Sequence, residues 1–150
     1  MHAAALEGPG ISQARDAEAV AGLRRHGKLF LTYSACDTGK PDYKIGMLIA
    51  DERADVMNPS SWVQHPEPVF ERNDPAGVFG PGHHGFFQSP DGTEDWIVYH
   101  AKTSSSYTYA GRTTRVQKFR WNPDGTPEFG KPLSLETMLR EPSNQQKAGR

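Results

Sequence analysis

The residue with the clearest chemical potential follows a short glycine-rich run near the middle of the chain. Gly80, Pro81 and Gly82 stand directly before His83. Glycine adopts backbone conformations that other residues resist, and proline fixes one dihedral angle, so this run can hold the next side chain in a defined place. A histidine held in this way can bond to a ligand, bind a metal or carry a proton near neutral pH. His83 is therefore a candidate site residue, although a structural histidine at a strand start would show the same pattern.

The composition favours one small, turn-rich β domain. The chain has 150 residues, of which 15 are glycine and 12 are proline, and 35% are hydrophobic, which suits antiparallel strands better than a helical bundle. The net charge is -1, so nothing favours a nucleic acid or an anionic membrane as partner. No run is long and apolar enough to span a membrane. The first residues lack the basic and apolar regions of a signal peptide, and the localisation is left unknown.

From Lys28 onward the sequence alternates between short β-rich runs and turns. Proline interrupts the third run, which is typical of an edge strand. In the run that contains Val116, the cations Arg115 and Lys118 are expected to be solvated. The predicted strands cover residues 28–34, 43–50, 62–70, 85–88, 95–101, 113–121 and 127–133.

These runs form two successive groups of three or four antiparallel strands, each of the length of a propeller blade. A β-sandwich of the same strands is the alternative. Residues 1–22 show no apolar stripe and are predicted to be irregular. Residues 23–133 are predicted to form the β domain, and residues 134–150 a polar tail.

Five stretches, in matching order and spacing, resemble glycoside hydrolase family 43. They are KLFLTYSA from Lys28, GPGH from Gly80, EDWIVYHA from Glu94, GRTTRVQK from Gly111 and DGTPEFG from Asp124. Within the family the similarity is greatest to the α-L-arabinofuranosidases. The resemblance implies an all-β fold built from the antiparallel blades of a five-bladed β-propeller, with about two blades on this chain. It also implies that these stretches belong to the C-terminal part of the catalytic domain only.

The resemblance implies an inverting glycosidase that hydrolyses terminal arabinofuranosyl bonds in plant cell-wall polysaccharides. Such an enzyme uses a carboxylate base, a second carboxylate that tunes the acid, and a glutamic acid that protonates the leaving oxygen. The first two would lie in blades absent from this chain, so we expect it to be truncated and inactive alone. The alternatives are a non-catalytic carbohydrate-binding β module and a β-xylosidase-like member.

Two glutamates match the family's general acid in different ways. Glu7, followed by Gly8 and Pro9, has the family motif but lies too far upstream of the first matching strand. Glu18 has the right spacing, but alanine and valine follow it. An insertion over residues 10–20 would reconcile Glu7 with the family pattern, and Glu7 is preferred. A solvated surface glutamate is the alternative for either position.

The resemblance also assigns binding roles. His83 occupies the position of a family histidine that ligates a calcium ion or a water in the central channel, although the chemistry requires no cofactor. Arg112 aligns with an arginine that reaches the sugar, and a guanidinium can bond two neighbouring hydroxyls at once. Tyr107 and Tyr109 lie in the preceding loop, where an aromatic ring could stack on a sugar.

The expected partner is an arabinose-containing oligo- or polysaccharide, and whether there is a protein partner is left unknown. Two further histidines lie near the matching stretches. His84 receives no role, and His100, in a strand expected to be buried, is a minor candidate for the pocket.

Overall fold

The computed structural model describes residues 18–144, which form two four-stranded antiparallel sheets. In each sheet every strand pairs with the next one along the chain. The first sheet contains β1 (Glu18–Arg25), β2 (Lys28–Ala35), β3 (Lys44–Asp51) and β4 (Val63–Gln64). The second sheet contains β5 (Phe79–Gln88), β6 (Asp95–Lys102), β7 (Thr113–Trp121) and β8 (Pro127–Glu128). This arrangement confirms the prediction of an all-β chain with two antiparallel, blade-like sheets.

Helical structure is confined to short 3₁₀ turns within the described residues, at Pro59–Ser61 and Asp74–Ala76. None of the helices between residues 18 and 144 has the length and hydropathy needed to span a membrane.

The first strand begins earlier than the sequence predicts. Residues 18–22, predicted to be irregular, belong to β1, whose residues alternate between exposed and half-buried. The strand forms because β2 supplies its hydrogen-bonding partner, with Leu23 opposite Phe30. His26 and Gly27 join the two strands with φ values of 49° and 76°, the left-handed pair that a two-residue hairpin requires. Residues 1–17, which include Glu7, lie outside the described part.

The glycine-rich run lies inside a strand instead of before one. β5 starts at Phe79, and its pairing with β6 shifts register between Phe79 and Gly82 and again between Gly82 and Gly85. Bulges of this kind bend a strand and re-aim its side chains. Gly80 has a φ of 58°, a left-handed conformation that glycine adopts at little cost.

The core lies between the two sheets and is largely aromatic. Phe70 packs edge-on against Tyr99, with ring centroids 4.8 Å apart. Arg115 also points into this interior and is buried, so the expectation that it is solvated is wrong, whereas Lys118 is exposed as predicted. The core cluster comprises Ile45, Phe70, Val78, Ile97, Tyr99, Ala101, Phe119 and Phe129.

The chain after β8 follows the second sheet without regular structure as far as residue 144. The backbone N–H of Ser143 donates to Glu94 Oε2 at 3.1 Å, and its hydroxyl donates to Asp91. The described part of the predicted polar tail therefore contacts the turn between β5 and β6.

Candidate functional site

A fully buried tyrosine connects the two sheets at one end of the molecule. Tyr43, directly before β3, has no exposed surface. Its hydroxyl donates to Glu18 Oε1 at 2.7 Å, and its ring stacks on His100 of β6 with centroids 5.6 Å apart and planes 8° apart. Tyr43 therefore joins a carboxylate at the start of β1 to an imidazole of the second sheet.

His83 lies next to this pair in an unusual backbone conformation. Its φ of 49° is rare for a residue with a side chain, and it lies within the second register shift of β5, between Gly82 and Gly85. Its N–H donates to Ser34 Oγ at 2.8 Å, and its ring lies 5.9 Å from that of His100. We refer to Tyr43, His83 and His100 together as the floor.

The floor contains an imidazole that stays neutral. Burial lowers the pKa of His100 to about 4, and the positive charges of Arg112 and His83 act in the same direction, while Glu18 opposes them. Both ring nitrogens are shielded from water and have no hydrogen-bond partner within residues 18–144. At neutral pH His100 therefore contributes an uncharged ring to the site.

His84, the next residue of β5, joins the sheets on the other side of the strand. Its ring is buried, and its Nε2 lies 2.6 Å from Thr32 Oγ1 of β2. The Thr32 hydroxyl donates to the carbonyl of Ala21 on β1 at 2.9 Å. Burial lowers the pKa of His84 to about 4, with a smaller effect from the charge of His83.

Exposed and half-buried residues from two loops form a second layer near the floor. Asp37 Oδ2 accepts hydrogen bonds from the Tyr107 hydroxyl at 2.6 Å and from the Tyr109 hydroxyl at 3.2 Å. These bonds, that of Tyr107 foremost, lower the pKa of the Asp37 carboxyl. Arg112 donates from Nε to the carbonyl of Tyr109 at 3.0 Å and from Nη1 to Thr38 Oγ1 at 3.2 Å. We refer to Asp37, Thr38, Tyr107, Tyr109 and Arg112 as the rim.

The structure brings together most of the residues singled out in the sequence. Glu18 bonds to the floor, and His83 is part of it. The charges of Arg112, His83 and Glu18 all reach His100. Tyr107 and Tyr109 keep their rings largely exposed, but their hydroxyls are bound by Asp37.

Sequence reasoning missed Tyr43 and Asp37. Asp37 belongs to a run that reads as a turn, and Tyr43 reads as an ordinary strand start. Only the spacing of the turn between them could have indicated that both lie at the same end of β2 and β3.

The donors in the described structure do not make up a calcium site. Calcium binds six to eight oxygen ligands, whereas His83 offers a nitrogen and its ring neighbour is a second imidazole. Between residues 18 and 144 no three His, Cys, Asp or Glu side chains are grouped to hold a metal. The calcium ion that the resemblance implies at His83 is not tested by these donors and stays a prediction.

A comparison with protein-family models matches residues 7–127 to the glycosyl hydrolases family 43. The match spans well over half of the 150 residues. The chain belongs to glycosyl hydrolase family 43. The family resemblance drawn from the five stretches is thereby confirmed.

Curated relatives of this family 43 chain have names that agree with one another. It is 45% identical over 117 residues to alpha-L-arabinofuranosidase B of Pyricularia oryzae. It is 42% identical over 122 residues to the extracellular exo-alpha-(1->5)-L-arabinofuranosidase of Streptomyces avermitilis. The alignments cover 75% and 78% of this chain but 24% and 25% of the relatives. The chain thus spans about a quarter of the length of the curated relatives that it matches.

Solved structures of the family show the same fold. The alpha-L-arabinofuranosidase from Lactobacillus brevis superposes with a TM-score of 0.77 at 43% sequence identity, over 81% of this chain and 39% of that one. A thermostable family-43 glycoside hydrolase gives a TM-score of 0.73 at 28% identity, again over 39% of its chain. The two sheets therefore correspond to part of a larger family 43 domain.

Proposed function

We propose that this chain carries part of the substrate pocket of an inverting α-L-arabinofuranosidase. Its substrate would be the terminal arabinofuranosyl units of an arabinose-containing oligo- or polysaccharide. The observation that carries the proposal is the convergence of Glu18, His83 and Arg112, which are distant in sequence, around the neutral ring of His100. The names of the relatives support the choice of sugar.

The floor and rim offer the groups that a sugar needs. The half-buried, neutral ring of His100 gives a weakly polar wall, and the fully buried Tyr43 ring stacks against it from within. Small-molecule sites typically combine such a wall with a few polar groups. Arg112 uses Nε and Nη1 within the protein, whereas its Nη2 makes no hydrogen bond with residues 18–144. A charged N–H of this kind is a strong donor to a sugar hydroxyl.

Binding would be tested by titrating the 150-residue chain with α-1,5-linked arabinotriose, with xylotriose in parallel. Arg112→Ala should weaken arabinotriose binding about tenfold, the loss expected for charge-assisted hydrogen bonds. Stronger binding of xylotriose would favour the β-xylosidase-like alternative. Absence of binding to either sugar would contradict the proposed pocket.

The general acid in this proposal is Glu7 or Glu18. An inverting enzyme needs an acid that protonates the leaving oxygen and a separate base that activates water on the opposite face. Glu18 bonds to the floor through Tyr43, while the motif favours Glu7. A chimaera in which this chain replaces the matching part of an active relative separates them. Changing the true acid to glutamine should lower the kcat of the chimaera by about 100-fold or more, whereas changing the other glutamate should not.

We further propose that the 150 residues alone do not hydrolyse arabinofuranosides. The family resemblance assigns the base and the second carboxylate to blades that this chain does not supply. The chain should therefore release no nitrophenol from p-nitrophenyl α-L-arabinofuranoside. Turnover that disappears in Glu7→Gln or Glu18→Gln would contradict this. If the chain binds the sugar but the chimaera has no turnover, the alternative of a non-catalytic carbohydrate-binding module would be favoured.

A further inference from the structure

The last residue of β6 is a buried cation that has no carboxylate partner among residues 18–144. Lys102 is 1% exposed, and its Nζ donates to three backbone carbonyls, those of Gly39 at 2.5 Å, Ser106 at 3.0 Å and Thr108 at 3.1 Å. An ammonium group has three N–H donors, so all of them are used. None of the ion pairs found between residues 18 and 144 includes Lys102.

The three carbonyls come from loops of different sheets. Gly39 lies in the turn between β2 and β3, whereas Ser106 and Thr108 lie in the loop between β6 and β7. The first loop carries Asp37 and Thr38 of the rim, and the second leads through both rim tyrosines to Arg112. The Lys102 ammonium is thus bonded to both of the loops that carry the rim residues.

Other contacts show how closely the two loops fit at this point. The N–H of Thr108 donates to the Gly39 carbonyl at 2.9 Å, so this oxygen receives two donors. A Cβ added at Gly39 would lie 2.7 Å from the Tyr107 ring and 3.0 Å from the Tyr109 ring. The loops therefore touch through backbone and aromatic atoms, directly above the lysine head.

Burying the Lys102 ammonium group costs free energy of folding. Burying an ammonium group loses its hydration, and charge-assisted hydrogen bonds offset that loss only in part. An apolar side chain of similar length would avoid this loss, but the carbonyls of Ser106 and Thr108 would then have no donor from residue 102. What the lysine adds is a fixed geometry between the loops.

We propose that Lys102 is a positioning residue, which holds the two loops together so that Arg112 and the rim tyrosines face the carbohydrate as one surface. This inference rests on the proposed function of the rim and deepens it. Lys102 itself does not touch the sugar.

The test compares Lys102→Met with Lys118→Met, a lysine of the adjacent strand that pairs with Glu94 at the surface. Arabinotriose affinity is measured by calorimetric titration, and loop order by hydrogen exchange of the Thr108 amide. Lys102→Met should weaken binding about tenfold, as loss of oriented hydrogen bonds does. It should also speed Thr108 exchange while the amides of β6 and β7 keep their rates. Lys118→Met should change neither quantity.

Two outcomes overturn the inference, and each is separable from failure of the proposed function. If the wild-type chain binds arabinotriose and Lys102→Met binds it equally well, Lys102 does not position the rim. If the wild-type chain binds no sugar, the proposed function fails, and Thr108 exchange alone decides on Lys102, with an unchanged rate in Lys102→Met counting against it. If circular dichroism shows Lys102→Met unfolded, Lys102→Arg replaces it. A planar guanidinium keeps the charge but does not fit three converging carbonyls, so the same losses are expected.

Discussion

The floor and the rim are adjacent parts of one candidate site, but different forces hold them in place. Tyr43 in the floor has no exposed surface, whereas Tyr107 and Tyr109 in the rim are 61% and 55% exposed. Close-packed interiors resist changes of volume, while exposed hydrogen bonds add little to stability and mainly fix orientation. Substitutions that disturb Tyr43, the buried member of the floor, should therefore change the free energy of unfolding, and those in the rim should change sugar affinity.

The largest effect is expected at Gly82, which packs against the floor. A Cβ at this position would lie 2.2 Å from a ring carbon of Tyr43, so Gly82→Ala must displace a fully buried ring. The free energy of unfolding, measured in urea, should fall by about 3 kcal/mol. Gly22→Ala is the matched control, since a Cβ there meets nothing within 4 Å. Equal stability of the two variants would show that the floor is loosely packed.

An effect that is smaller per pH unit should appear as pH-dependent stability, which arises from His100 of the floor and from His84 beside it. The pKa values of His84 and His100 fall from 6.5 to about 4 on folding, chiefly through burial. Between these values the unfolded chain binds protons that the folded chain does not, so stability is complete above pH 6.5 and is lost as the pH falls towards 4. The slope is at most about 1.4 kcal/mol per pH unit for each histidine, and less for half-buried His100.

Urea unfolding at several pH values measures this slope. His84→Gln should reduce it, because glutamine keeps a donor towards Thr32 but does not titrate. An identical slope in wild type and His84→Gln would contradict the assigned role of burial at this position.

The smallest effect on stability is expected at the rim. Asp37→Asn keeps the shape but removes the charge that binds the hydroxyls of Tyr107 and Tyr109. The unfolding midpoint should stay unchanged within error, while arabinotriose affinity should fall several-fold, about 1 kcal/mol for weakened orientation. A large loss of stability with unchanged affinity would reverse the contrast between floor and rim.

Strand positions were predictable where local pattern and burial agree. The run predicted over residues 113–121 is β7 with the same bounds. β1 was not predicted because its own composition does not indicate a strand. It forms because β2 provides its hydrogen-bonding partners. Arg115 was misjudged for another reason. Side chains in a strand alternate with period two, so Arg115 and Lys118 must lie on opposite faces, and one of them faces the core.

The site was predictable only where a motif marks it. His83 and Arg112 lie in stretches with a family pattern, whereas Tyr43, Asp37 and Lys102 contribute through contacts between distant segments. In the sequence, Lys102 comes directly after an apolar run, a position at which a lysine is expected to be solvated. Its burial depends on the carbonyls of Gly39, Ser106 and Thr108, which local sequence does not reveal.

The bond between His84 and Thr32 determines which tautomer the histidine adopts. A hydroxyl has one proton, and Thr32 gives it to the Ala21 carbonyl. Thr32 can therefore only accept from His84, so the proton of the neutral ring is on Nε2 and Nδ1 is bare. The ring nitrogens of His84 thus have distinct nitrogen-15 chemical shifts for as long as β5 docks on β2. If the two chemical shifts became averaged while both sheets were still folded, this would indicate that the sheets had separated.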